Sequence, residues 1–168
     1  MKPLLTLIIL LSLSSCLIAQ TNDFPKSWEG NWKGEINIFS ANGKHLVPVS
    51  LVIHPIDSDR WSWTLHYEAP NQTPRKYELV KEKETWKIDE KNGIVLPQQF
   101  IGGRMVSSFS VGGNLLICYY WLEEDALHME IHVVAKAPSS KSISETEEVF
   151  EVSNHLIGAF QKAILYRK

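Results

Sequence analysis

The 168-residue sequence holds two cysteines, Cys16 and Cys118. Cys16 falls in a leader-like stretch, so Cys118 would stand alone after processing and no internal disulfide is expected. Stability must then come from a packed core. An excess of basic charge is also missing: 17 Lys and Arg face 19 Asp and Glu, for a net charge of −2. Lys and Glu are interleaved, as in Lys81-Glu82-Lys83-Glu84, leaving no basic stripe for a phosphate backbone and excluding nucleic acid as the expected partner. Catalytic signatures are absent too. The sequence has no Gly-x-Ser-x-Gly elbow, phosphate loop, Cys-x-x-Cys or His-Glu-x-x-His, and it implies no cofactor. No internal repeat is visible.

What is present begins with residues 1–20, which carry one charge at Lys2, an apolar run from Leu4 to Leu11 and then small residues. That is the build of a secretory signal rather than a membrane span, so the protein is expected to be exported: periplasmic, secreted or an outer-membrane lipoprotein. Two processing readings compete. Leu13-Ser14-Ser15-Cys16 has the form of a lipobox, with lipid on Cys16 as the one membrane attachment. Leu17-Ile18-Ala19-Gln20 has the form of an ordinary cleavage site after Ala19, which the apolar Leu17 and Ile18 favour. About 150 residues remain, enough for one core and too few for two ordinary domains, so residues 21–168 are read as a single domain.

In residues 28–39, Trp32, Gly34, Ile36 and Ile38 alternate with Lys33, Glu35 and Asn37, the pattern of a half-buried first strand. Residues 159–168 form a closing strand of similar length, and pairing first with last would leave no open edge. Asn42-Gly43 supplies a tight turn. Centring the first hairpin there sets Ile38 against Val47, Ile36 against Val49 and Trp32 against Ile53. Strand two, 45–56, contains Pro48, expected at a bulge. Strand three, 60–68, puts Trp61, Trp63, Leu65 and Tyr67 on one face. Shorter strands follow at 75–81, 85–88 and 94–96, and 98–103 is ambiguous between bulge and loop.

Three apolar strands come next, at 105–111, 115–122 and 127–134. With even-length turns, Met105, Phe109, Leu116, Cys118, Tyr120 and Leu122 share an inward face with Leu127, Met129, Ile131 and Val133. Leu115, Ile117, Tyr119 and Trp121 then lie outside with His128, Glu130 and His132. Residues 135–148 are polar and Ser-rich and read as a flap, with a short strand at 149–152.

The Gly30-x-Trp32 heading the first strand, on a chain of short strands and tight turns, resembles the lipocalin-like (calycin) barrels, including their fatty-acid-binding and nitrobindin-like branches. The resemblance implies an all-β, antiparallel up-and-down barrel of about eight to ten strands. It also implies that Trp32 packs across the closed end beneath a basic side chain of the last strand, Arg167 or Lys168. Nitrobindin-like relatives hold haem through a closing-strand His; residues 159–168 have none, which argues against haem.

Trp61, Trp63, Tyr67, Met105, Phe109 and Tyr120 are the candidate lining of a cavity for a small apolar ligand, and they equally suit a filled core. Cys118 among them reads as a small buried hydrophobe. His128, Glu130 and His132 lie about 7 Å apart along one strand face, a spacing that a metal site uses when another strand adds His54 or His66. A solvent-facing strand is the preferred reading of that face. The leading expectation is a non-enzymatic binding protein. The alternatives are an envelope module docking a partner or second copy through the outer aromatic patch, and a metal-dependent enzyme on His128 and His132.

Overall fold

The computed structural model describes residues 23–146 and 148–168. The expected leader, with Cys16 and Ala19, lies outside them. Residues Lys26–Trp28 form one 3₁₀ turn, and twelve strands follow: β1 Gly30–Ser40, β2 Gly43–Ile53, β3 Arg60–Tyr67, β4 Arg75–Glu82, β5 Thr85–Asp89, β6 Val95–Ile101, β7 Arg104–Val111, β8 Asn114–Glu123, β9 Ala126–Ala135, β10 Ser140–Ile143, β11 Glu151–Asn154 and β12 Ile157–Arg167. Strands β1 to β9 and β12 close an antiparallel barrel of ten strands, each beside its chain neighbour, with β12 seated between β9 and β1. Closure removes the exposed edges that an open sheet would carry.

The β1–β12 pairing runs from Trp32 opposite Arg167 to Ser40 opposite Ala159. The strands approach so closely at Gly34 that a Cβ added there would collide with the Ile164 carbonyl oxygen, which is why the inward alternation of β1 is interrupted by glycine. The first hairpin differs from the expected register. Ser40 pairs with Gly43, so the turn residues are Ala41 and Asn42, and Ile36 faces Val47 while Trp32 faces Leu51. Moving a turn centre by one residue moves every partner by two, so each side chain keeps its face. Gly43 takes the positive φ of +101° immediately after the turn, a bend that glycine adopts without strain. Pro48 sits at no bulge on the β1 side; the β2–β3 ladder instead begins just past it, at Val49.

Inner and outer faces of β7, β8 and β9 follow the expected parity: Met105 pairs with Tyr120, Tyr120 with Met129, and Cys118 with Ile131. Residues 98–101 continue β6, and Gly102-Gly103 form the tight turn into β7 with φ of +58° and +77°. The flap is more ordered than its composition suggests. Strands β10 and β11 pair as a separate hairpin in which every strand residue is exposed, and Ile143, Phe150 and Val152 are open to solvent.

The core runs through the barrel from its closed end, where β1 starts and β12 finishes. Trp28, expected at the head of the first strand, instead ends the 3₁₀ turn, which tucks it into that end, fully buried. Trp32 is 0 % exposed and donates its indole N–H to the Trp28 carbonyl at 2.8 Å. Phe24 packs edge-on against Trp28, Trp86 and Phe100 with ring centroids 4.7 to 4.9 Å apart. Trp61 leans on Trp86 at 5.6 Å and donates to Glu29 Oε1 at 3.0 Å. The indole donors of Trp32 and Trp61 are thereby satisfied, as buried tryptophans require.

Candidate functional site

The opposite end of the barrel is hollow. A cavity of about 390 Å³ opens there among Ile38 and Val47 of the first hairpin, Trp63, Leu65 and Tyr67 of β3, Phe109 of β7, Leu116 of β8 and Ile131 of β9. Its floor is Trp63, whose ring meets Trp28 of the plug at 6.4 Å on one side and Tyr120 at 5.1 Å on the other. Alternation explains the wall. Residues two apart on each strand point inward, and past the level of Trp63 the inward aromatics Tyr67 and Phe109 stand among the smaller Ile38, Val47, Leu116 and Ile131, which together leave the interior unfilled.

Of the six lining candidates, Trp63, Tyr67, Phe109 and Tyr120 border the cavity. Trp61 and Met105 do not. Both point inward but lie nearer the closed end, where Trp61 packs on Trp86 and Met105 is fully buried in the core. Sequence alternation gives a side chain its face and says little about its depth along the barrel axis. Trp32 and Arg167 meet at the closed end: the guanidinium lies 4.6 Å from the Trp32 ring centroid and donates to the Ser27 carbonyl at 2.8 Å. Gly30 leaves space for that side chain, since a Cβ there would stand 3.2 Å from Arg167 Nε.

The polar part of the cavity was missed. Gln98, Ser107, Gln161, Arg75 and Glu90 all border it. Gln98 and Ser107 are the buried polar side chains among the described residues, at 6 % and 7 % exposure. Gln98 Nε2 donates to the Leu96 carbonyl at 2.9 Å, and Gln98 Oε1 is buried without a hydrogen-bond partner. Ser107 sits on the same inward face as Met105 and Phe109, where period two alone would have placed it. Gln98 belongs to the stretch whose strand character the two glycines obscured.

Burial sets the protonation of this region. It pushes the Tyr67 hydroxyl up to about 12, with the Arg75 guanidinium, 5.5 Å from the Tyr67 ring, pulling the other way. The Cys118 thiol rises to about 11 for the same reason, opposed by a hydrogen bond from Ser107. Desolvation drives Tyr120 well above the ordinary range as well. A charged form is costly where water cannot reach it, so at neutral pH these are neutral hydrogen-bonding groups, and Cys118 is no nucleophile. Tyr67 donates to Gln161 Oε1 at 3.4 Å. Arg75 and Glu90, of opposite charge, both act on Tyr77 at the rim.

The His128, Glu130 and His132 face lies outside the barrel, each residue with a neighbour of its own. The His128 ring stacks on Trp121 at 4.8 Å and stands 3.6 Å from Glu123. Glu130 faces Lys162 at 3.6 Å, and His132 packs between Tyr119 and Phe160. His54 meets Asn31 at 3.2 Å and His66 the Gln72 carbonyl at 3.4 Å. Among the described residues no three His, Cys, Asp or Glu side chains converge as a metal set. The outer strip is half-buried by its own contacts rather than by the flap: Arg104 caps the Trp121 ring at 4.2 Å, and Phe160 stacks on Phe39 at 6.0 Å.

No family model and no curated protein matches the chain. Among solved structures, a crystal structure of a protein of unknown function from the DUF3598 family of Nostoc punctiforme aligns with a TM-score of 0.58 at 12 % identity over 85 % of this chain. The chain spans about half that protein, 48 % of its length. The Mycobacterium tuberculosis protein Rv2717c aligns with a TM-score of 0.44 at 10 % identity, over 84 % of this chain and 93 % of that one. At such identity the first likeness shows the barrel fold alone.

Proposed function

We propose that this protein is an exported, lipocalin-like binding protein that holds one small, largely apolar molecule in the open end of its barrel. The observation that carries this reading is the cavity of about 390 Å³ walled by Trp63, Leu65, Phe109, Leu116 and Ile131. That volume lies at the lower end of the range for small-molecule sites, and an apolar wall open to solvent gains free energy when a ligand covers it. Reaction chemistry has no comparable support, since the buried groups facing the cavity, Tyr67, Cys118 and Tyr120, are all held in their protonated, neutral forms by burial, which leaves no activated nucleophile among them. Membership of the calycin barrels is supported by Gly30-x-Trp32, by Arg167 above the Trp32 ring and by first-to-last closure. Export is supported by the leader-like residues 1–20.

Native mass spectrometry of the protein purified from its own source tests both parts. The expected spectrum shows a chain beginning at Gln20, or a lipid-bearing chain beginning at Cys16, with one small molecule attached. Leu116→Trp, which fills the cavity, should abolish the attachment. A bound mass that survives Leu116→Trp would place the ligand elsewhere.

A second reading rests on the outer strip, where the rings of Tyr119, His132, Phe160 and Phe39 follow one another across β8, β9, β12 and β1. Such a strip suits a protein partner or a second copy. Analytical ultracentrifugation would favour it if the protein self-associates and Phe160→Glu abolishes the association.

A further inference from the structure

Within the cavity, one atom is out of keeping with the apolar wall. Gln98 is nearly fully buried in the middle of β6, its Nε2 is committed to the carbonyl of Leu96 two residues back, and its Oε1 accepts nothing. Buried polar atoms in folded proteins are almost always paired, and an unpaired acceptor carries the full cost of its lost hydration. The strands around it supply no donor. The β6–β7 ladder runs only from Gln99 opposite Val106 to Ile101 opposite Arg104, so it stops one residue short of Gln98 and Ser107. Ser107, the inward residue of β7 nearest in register, makes no hydrogen bond to Gln98 Oε1 either.

Charge narrows the matter further. No ionisable Asp, Glu, Lys or Arg is among the buried side chains of the described residues. The two charges bordering the cavity, Arg75 and Glu90, are of opposite sign and act together on Tyr77 at the rim. An ionised group carried to the depth of Gln98 would lose its water and find no counter-charge. A ligand acceptor placed there would face another acceptor. A neutral donor would complete the amide.

We propose that the cavity selects a neutral ligand whose apolar body carries a hydroxyl or N–H donor, and that Gln98 Oε1 receives that donor. The inference rests on the cavity-binding reading and adds to it a chemical class and a specificity-determining residue. Apolar contact with Trp63, Phe109 and Leu116 supplies affinity, while Gln98 discriminates, because a site built around a buried polar atom rejects an analogue that leaves the atom unpaired.

The test uses two probes of nearly equal shape, 4-butylphenol and its methyl ether 4-butylanisole, titrated by the change in tryptophan fluorescence that Trp63 in the cavity floor should report. The wild-type protein should bind the phenol at least about tenfold more tightly than the ether, although the ether is the more apolar. In Gln98→Met, which keeps an unbranched side chain of similar length, that preference should vanish with the ether bound at least as well as before. Gln98→Leu serves if Gln98→Met fails to fold. Equal affinity of the wild type for both probes, or a preference unchanged in the variant, would overturn the role of Gln98 while leaving cavity binding intact. Binding of neither probe would overturn the cavity reading itself.

Discussion

At the closed end, Trp28, Trp32, Trp61 and Trp86 with Phe24 fill the barrel, and the indole N–H groups of Trp32 and Trp61 are hydrogen-bonded; at the open end the same ten strands carry Ile38, Val47, Leu116 and Ile131 and leave about 390 Å³ unfilled. Strand number and tilt fix the width of a barrel, so the size of the inward side chains at each level decides whether it is core or container. The choice between filled core and cavity, even on the sequence, has a different answer at each end. Stability should therefore reside at one end and binding at the other, and substitutions can separate them.

The largest effect is expected at Trp32. Trp32→Ala removes the most enclosed aromatic of the plug, its bond to the Trp28 carbonyl and the surface beneath Arg167. It should cost about 3 to 5 kcal/mol in urea unfolding or prevent folding. Leu116→Ala, on the cavity wall, should cost less than about 2 kcal/mol, because that side chain already borders a void. Comparable losses at the two positions would erase the contrast.

Next comes Gly34→Ala. The new methyl group would meet the backbone oxygen of Ile164, which cannot rotate aside, so the β1–β12 seam must open slightly at a cost of about 1 to 3 kcal/mol. A thermal midpoint within 1 °C or so of wild type would show the seam to be more pliant than close packing allows.

Much of this architecture was legible from period two. The inward faces of β7, β8 and β9, the pairing of first and last strands and the outward placement of His128, Glu130 and His132 follow from alternation and the parity of tight turns. What alternation does not carry is position along the barrel axis. It put Trp61 and Met105 on the cavity wall although they lie below it, and centring the first hairpin on Asn42-Gly43 rather than Ala41-Asn42 set its register two residues out without changing any face. Gln98 was hidden for a different reason, since Gly102-Gly103 made a continuous strand look like a loop. The 3₁₀ turn at Trp28 was missed because it holds a single buried residue, too short for any periodicity.

A smaller effect is expected at alkaline pH and belongs to the open end. The Cys118 thiol has an ordinary value of 9.0 and rises to about 11 by burial, and the Tyr67 hydroxyl rises from 10.0 to about 12. The folded state keeps these protons at pH values where the unfolded chain has released them. Their contribution is therefore complete below about pH 9 and is lost progressively as pH climbs towards 12. Thermal midpoints measured from pH 8 to 12 should fall, and Cys118→Ala with Tyr67→Phe should flatten the decline. Undiminished decline in that double variant would move its cause elsewhere.

The smallest effect is expected at Arg167. Its guanidinium over Trp32 is exposed on its outer side, so Arg167→Met should cost about 0.5 to 1 kcal/mol from the cation–π contact, together with the bond to the Ser27 carbonyl. Arg167→Lys should recover part of the loss in urea unfolding, and cavity binding should change in neither variant.

Xenon under pressure puts the contrast between the two ends to the most direct test, because it enters apolar cavities of sufficient size and shows there as electron density. In crystals of the wild-type protein, xenon should appear between Phe109, Leu116 and Ile131 and nowhere among Trp28, Trp32 and Trp86, and Leu116→Trp should exclude it. Crystals that take up no xenon at the open end, or take it up equally at the closed end, would contradict the division of the barrel into plug and container.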